Sequence, residues 1–184
     1  MKNYICILFA AFLSHFTFAQ KSSVEPSLYG VQIGLLGVWG QQEARLSNQI
    51  ALRTELGFDA GIWGGDLYNE TGFALAPVLT LEPRWYYNLN KRVKRSRNIS
   101  GNSGNFLAFS ISYHPDWFTI SNTENVEVFS DISLIPTWGI RRVIGKHFTY
   151  ETGIGIGYRY FFDDFIGNQG EIAVNLHLRI GYSF

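Results

Sequence analysis

Cysteine is nearly missing from this chain: of 184 residues only Cys6 carries a thiol, and it lies within the first nineteen. Beyond that segment a disulfide framework, thiolate catalysis and cysteine-based metal sites are excluded. Net charge is missing as well, with 15 Lys and Arg against 15 Asp and Glu, so no global field points to nucleic acid or a membrane surface. After residue 19 no apolar run approaches the roughly 20 residues that a membrane-spanning helix needs. Yet 46% of the residues are hydrophobic and 16% are aromatic. A chain can be that apolar without long runs if its apolar residues alternate with polar ones.

The first nineteen residues read apart from the rest. Lys2 gives a short basic start, Ile5 to Phe18 is mostly apolar, and Thr17 and Ala19 put small residues at the positions a signal peptidase reads. Residues 1–19 are therefore expected to be a signal peptide. Residues 20–184 are expected to form one domain, with a loose polar arm from Gln20 to Ser27.

Alternation is clearest at the C-terminus. Ile172, Val174, Leu176, Leu178, Ile180, Tyr182 and Phe184 share one parity, while Glu171, Asn175, His177, Arg179 and Ser183 share the other. A strand turns successive side chains to opposite faces, so this is an apolar face backed by a charged one. The same division recurs in legs beginning near Leu28, Ile50, Phe73, Phe106, Val126 and His147. Between Leu28 and Leu46 the phase slips at Leu35-Leu36, which predicts a bulge near Gly37 to Gly40. Pro77 and Pro83, on the apolar parity, predict further bulges. Loops are expected at Gly64 to Thr71, Pro115 to Asn125 and Asp163 to Gly170. Short turns are expected at Ser47 and Gly145, and the longest connection spans Asn88 to Asn105.

One leg cannot say whether its apolar face meets a protein core or lipid. The placement of aromatics can. Trp85, Tyr87, Trp138, Phe148 and Tyr150, with Tyr182 and Phe184, fall at strand ends beside one set of connections, as an interfacial girdle requires. Tyr113, Tyr158, Tyr160, Phe162 and Trp63 suggest the opposite girdle. On the polar parity, Arg53, Arg84, Arg141, Arg159 and Arg179 face Glu55, Asp59, Glu82, Asp131 and Glu151, and lysine is almost absent from the strand bodies. Arginine forks pair with carboxylates in confined spaces, so these ten residues are expected to form an ion-pair network filling a closed lumen. The glycines at 153, 155 and 157 are expected to make room for large side chains opposite. The fold class is thus all-β: an antiparallel, up-and-down, transmembrane β-barrel.

The leader, the alternating legs and the terminal L-H-L-R-I-G-Y-S-F resemble the small outer-membrane β-barrel proteins of Gram-negative bacteria, with a texture similar to those of the Bacteroidota. The resemblance spans the mature chain. It implies an outer-membrane location reached through a cleaved signal peptide, contact with outer-membrane lipid, no cofactor and no nucleic-acid partner. It also implies that Leu176, Leu178, Ile180, Tyr182 and Phe184 form the signal read by the barrel-assembly machinery. Such barrels have an even number of strands, whereas seven legs are visible. Either Leu28 to Leu46 holds two short crossings or a crossing lies elsewhere; eight is the expected count.

Candidate chemistry is sparse. Ser112, His114 and Asp116 lie together near one rim, but no G-x-S-x-G surrounds the serine. A hydrogen-bonded rim cluster is the better reading, and a lipid-modifying barrel enzyme the alternative. His114, His147 and His177 are too scattered for a metal site and are expected in the lumen. Lys91, Arg92, Lys94, Arg95 and Arg97 form a basic run that reads as a solvated turn; the alternatives are a contact for an anionic lipid headgroup, a cell-wall polymer or nucleic acid, the last disfavoured by the expected periplasmic placement. The main expectation is a non-enzymatic barrel with a structural or surface-interaction role. A third reading is a secreted soluble barrel enclosing a small apolar ligand.

Overall fold

A computed structural model describes residues 22–63, 72–123, 126, 128–163 and 168–184. The expected signal peptide, Glu127 and the loop residues 64–71 and 164–167 lie outside the described residues. The strands are β1 (Ser27–Gly34), β2 (Gly37–Arg45), β3 (Ile50–Trp63), β4 (Gly72–Trp85), β5 (Gly104–His114), β6 (Ile120–Ser121), β7 (Asp131–Ile144), β8 (Phe148–Phe161) and β9 (Gly170–Ser183). Eight of them pair antiparallel with their neighbours, and β9 returns to β1, so the sheet closes into an up-and-down barrel.

Closure fixes the tilt. From Gly30 the cross-strand partners run Gln41, Glu55, Thr80, Ser112, Ser133, Arg159 and Glu171, whereas Gly30 itself pairs with Ser183 on β9, twelve residues further on. With a rise of about 3.3 Å per residue and a strand spacing of about 4.8 Å, that stagger tilts the strands by roughly 45°. The walk meets polar residues because it follows the inward parity.

The slip at Leu35-Leu36 is a hairpin rather than a bulge. β1 and β2 pair from Ser27↔Ala44 to Gly34↔Gly37, which supplies the eighth strand. Gly37 turns the chain with φ of 148°, a conformation that needs glycine. The prolines do not produce bulges. The β3–β4 register is unbroken from Ile50↔Trp85 to Trp63↔Gly72. Pairing of β4 with β5 lapses around Pro83 and resumes in the same register, since proline removes one donor without adding a residue. The leg expected from Val126 begins as a strand only at Asp131, and the expected polar loop after Pro115 contains β6, which pairs with β4 beyond the end of β5.

The two ends differ. At the end where β1 begins and β9 finishes, called basal here, the connection after β4 folds as helix α1 (Leu89–Lys94) and a 3-10 turn (Ser100–Asn102). Val24, Ala51, Tyr86, Leu89, Ile99 and Phe106 form the apolar core there. The N-terminal arm is not loose: Val24 is fully buried and its amide donates to the carbonyl of Asn48 at 2.9 Å. One apolar residue anchors an otherwise polar segment. Gly139 is required where the Phe106 ring crosses β7, because a Cβ there would lie 2.3 Å from Cζ.

The outer wall is apolar. Ile33, Leu56, Leu81, Leu107, Leu134, Ile154, Val174, Leu176 and Ile180 are all exposed, while Gln32, Glu43, Arg53, Glu55, Glu82, Arg84, Arg141 and Glu151 are buried inside. Polarity is therefore inverted relative to a barrel with an apolar interior.

Candidate functional site

The interior is built from the inward parity of every strand. Its centre is Glu151 on β8. It accepts hydrogen bonds from Gln32 Nε2 and Arg53 Nη1, both at 2.9 Å, from Arg84 Nη1 at 3.1 Å and from Arg141 Nη1. His177 Nε2 lies 2.9 Å from the same carboxylate. Glu43 on β2 is the second centre: Arg53, Arg84 and Arg141 reach it at 3.4, 3.4 and 3.1 Å. Each arginine keeps a further acceptor. Arg53 bonds Glu55, Arg84 bonds Glu82, and Arg141 Nε donates to the Gly101 carbonyl at 2.9 Å. Arg179 donates to Glu55 at 2.8 Å and lies over the Trp39 ring at 3.8 Å. Four arginines thus meet four glutamates, so the group is formally neutral. Charges removed from water persist only when paired and hydrogen-bonded in this way.

The basal plug completes the network from below. The Tyr86 hydroxyl donates to Glu43 at 3.0 Å, and Asn102 Nδ2 donates to Glu43 at 2.6 Å. Asn102 Oδ1 in turn accepts from the Glu25 amide at 2.7 Å, tying arm, plug and network together. Asn102 sits at φ of 60°, a left-handed position that asparagine tolerates better than most residues.

Above the network the lumen widens into a cavity of about 360 Å³ that holds the other expected members, Asp59, Asp131 and Arg159. They surround a histidine: His114 Nδ1 is 3.0 Å from Asp131 and Nε2 is 3.1 Å from Asp59. Arg159 approaches Asp131 at 3.5 Å and Glu171 at 3.6 Å. Of the ten expected network residues, Arg53, Glu82, Arg84, Arg141 and Glu151 lie in the sealed centre, Glu55 and Arg179 join that centre to the cavity they line, and Asp59, Asp131 and Arg159 lie near His114. Asp116 is exposed and is not among the partners of His114, while Ser112 Oγ lies 2.8 Å from Thr80 Oγ1. A serine nucleophile needs a ring nitrogen free to take its proton, and both nitrogens of His114 are engaged by carboxylates.

Several functional positions were not singled out in the sequence. Glu43 is legible as a polar-parity carboxylate of its leg, but nothing in the sequence marks it as a centre shared by three arginines. Tyr86 and Gln32 also lie on inward parities. Asn102 comes from a connection with no periodicity, so nothing in the sequence marks it. His147 is not in the lumen: it is exposed at the basal rim, where it stacks on Tyr182 with ring centroids 5.1 Å apart. The glycines of β8 do not make room across the lumen. A Cβ at Gly157 would lie 2.0 Å from the Leu134 carbonyl, so the glycine permits close approach of β7.

The expected aromatic residues lie on the outer wall at the basal end. Trp85 and Tyr87 meet edge to face at 5.9 Å, Trp138 Nε1 donates to the Tyr87 hydroxyl at 2.9 Å, and Phe148, Tyr182 and Phe184 form a chain of edge contacts at 5.5 Å. Tyr150 is exposed beside them, and at the other end Tyr113, Phe162 and Tyr160 are in ring contact. Leu176, Leu178, Ile180, Tyr182 and Phe184 all face outward from β9. No protein-family model, curated protein or solved structure matches this chain.

Proposed function

We propose that this protein is an integral outer-membrane β-barrel with a structural or surface-interaction role, performed without catalysis. The observation that carries the reading is the inverted polarity: aliphatic residues cover the outside between two aromatic ends, and buried arginines and glutamates fill the inside. In water an exposed apolar wall of this extent would drive aggregation, whereas in a bilayer it is the surface a transmembrane barrel requires. A soluble carrier of an apolar ligand would need the opposite arrangement. In this reading outer-membrane lipid surrounds the wall. The barrel-assembly machinery reads the β9 signal, and the loops at the end opposite the basal one face outward to a partner.

The test is fractionation of expressing cells, followed by gel migration of unheated and boiled samples. Outer-membrane recovery with a faster-migrating unheated band is the expected result. Recovery as a soluble periplasmic or secreted protein would defeat the reading.

A further inference from the structure

The basic run between β4 and β5 is more than a solvated turn. α1 and the residues after it fold against the basal rim to form a concavity of about 390 Å³, lined by Lys91, Arg92, Arg95, Arg97 and Arg142 together with Tyr87. No carboxylate lines it, and among the described residues none of these five cations has an ion-pair partner, whereas the arginines inside the barrel are matched by glutamates. Like charges held together are unfavourable unless something of opposite sign joins them.

Two of the cations are held in place by neutral acceptors. Arg92 donates from Nε and Nη2 to the Asn98 carbonyl at 3.1 and 2.7 Å. Arg142 donates to the carbonyls of Gly104 and Arg141 and to Asn105 Oδ1, each at 2.7 Å. Partial burial and the nearby Arg97 both lower the pKa of Arg92, as expected where positive charges crowd without a counter-ion. The concavity also has an apolar border. Tyr87, one of its walls, accepts a hydrogen bond from Trp138, and Trp138 and Leu107 continue as exposed outer wall. An anion that fits here has apolar substance directly beside it.

We propose that this basal concavity binds the phosphate headgroup of an anionic phospholipid whose chains lie along the outer wall at Tyr87, Trp138 and Leu107. The inference rests on the membrane reading above and assigns the lipid to the leaflet at the basal end. Guanidinium forks suit phosphate oxygens, and basic pockets at membrane boundaries recognise anionic headgroups by the same chemistry.

The test uses the mature protein in a neutral detergent and the variant K91Q/R95Q/R97Q, which changes only exposed side chains. Heat-modifiable migration of both is checked first, because its absence would count against the membrane reading itself. Native mass spectrometry then measures retention of added phosphatidylglycerol against phosphatidylcholine. The expected result is a preference of about tenfold or more for phosphatidylglycerol, lost in the variant and undisturbed by millimolar inorganic phosphate. Equal retention of the two lipids, or an unchanged preference in the variant, would overturn the proposal while leaving the barrel intact. Displacement by inorganic phosphate would reassign the site to a free anion, and displacement by a short oligonucleotide to a polymeric one; either overturns the lipid assignment.

Discussion

Glu43 on β2 and Glu151 on β8 share the same three guanidinium groups, those of Arg53, Arg84 and Arg141. The strands that carry them lie three apart around the ring, so the contacts close the lumen across its width. All five side chains are essentially inaccessible to solvent.

Removing one centre therefore strands several charges at once. Glu151→Gln is expected to lower unfolding stability by about 3–5 kcal/mol, the range for breaking a buried ion pair from one side. Arg159→Gln, which breaks only ion pairs of 3.5 and 3.6 Å at a side chain one-third exposed, should change stability by less than about 1 kcal/mol. Urea titration of both variants in lipid vesicles measures the contrast, and equal effects would contradict the network's role.

The sealed centre also predicts electrical behaviour. With Arg53, Arg84, Arg141 and Glu151 fully buried, no aqueous path crosses the lumen at that level. The purified protein in planar bilayers should show no discrete conductance steps. Regular steps from the unmodified protein would mean that the network opens.

Asn102 ties the plug to the network through its bond to Glu43 and to the N-terminal arm through the bond it accepts from the Glu25 amide. Asn102→Ala loses both and places alanine at a positive φ, which together should weaken the plug by about 2–3 kcal/mol. Limited trypsinolysis of the folded protein reads this directly, as faster cleavage within Lys91 to Arg97. Asn102→Gly, which restores the backbone freedom but not the bonds, should fall between the two. An unchanged cleavage rate would remove the plug from the account.

Much of this architecture was legible because strand alternation has a period of two and a barrel has only two faces. The parity of Ile172 to Phe184 separates outward from inward residues without error at Leu176, Leu178, Ile180, His177 and Ser183. Arg53 and Glu55, and likewise Glu82 and Arg84, stand two apart on one strand, so their shared inward face was visible, while the bonds within each pair come from the structure. The hairpin at Leu35-Leu36 was not distinguishable from a bulge, since both shift parity by one. Residues 88–105 were opaque for a different reason: a plug is specified by tertiary contacts, such as the burial of Leu89 in one core with Tyr86 and Phe106 and the bond of Asn102 to Glu43, which leave no local period. The site around His114 was half visible, its serine and histidine being near in sequence, while its acids, Asp59 and Asp131, arrive from β3 and β7.

A charge on the outer wall separates the membrane reading from a soluble one. Ile154 lies near the middle of β8 and is 57% exposed. In water Ile154→Arg would be close to neutral, but at the bilayer midplane it should destabilise by about 2–4 kcal/mol. Unfolding in vesicles measures the loss, and a neutral result would count against lipid contact at that height.

The most direct test is quenching of single-tryptophan variants in vesicles of brominated phospholipid. Trp85 is exposed on the outer wall, whereas Trp39 is 4% exposed, beneath Arg179 inside the barrel. A variant retaining only Trp85 should lose most of its emission to the bromines, and one retaining only Trp39 should keep nearly all of it. Failure to enter the vesicles, or equal quenching of the two, would contradict the assignment of the apolar face to lipid.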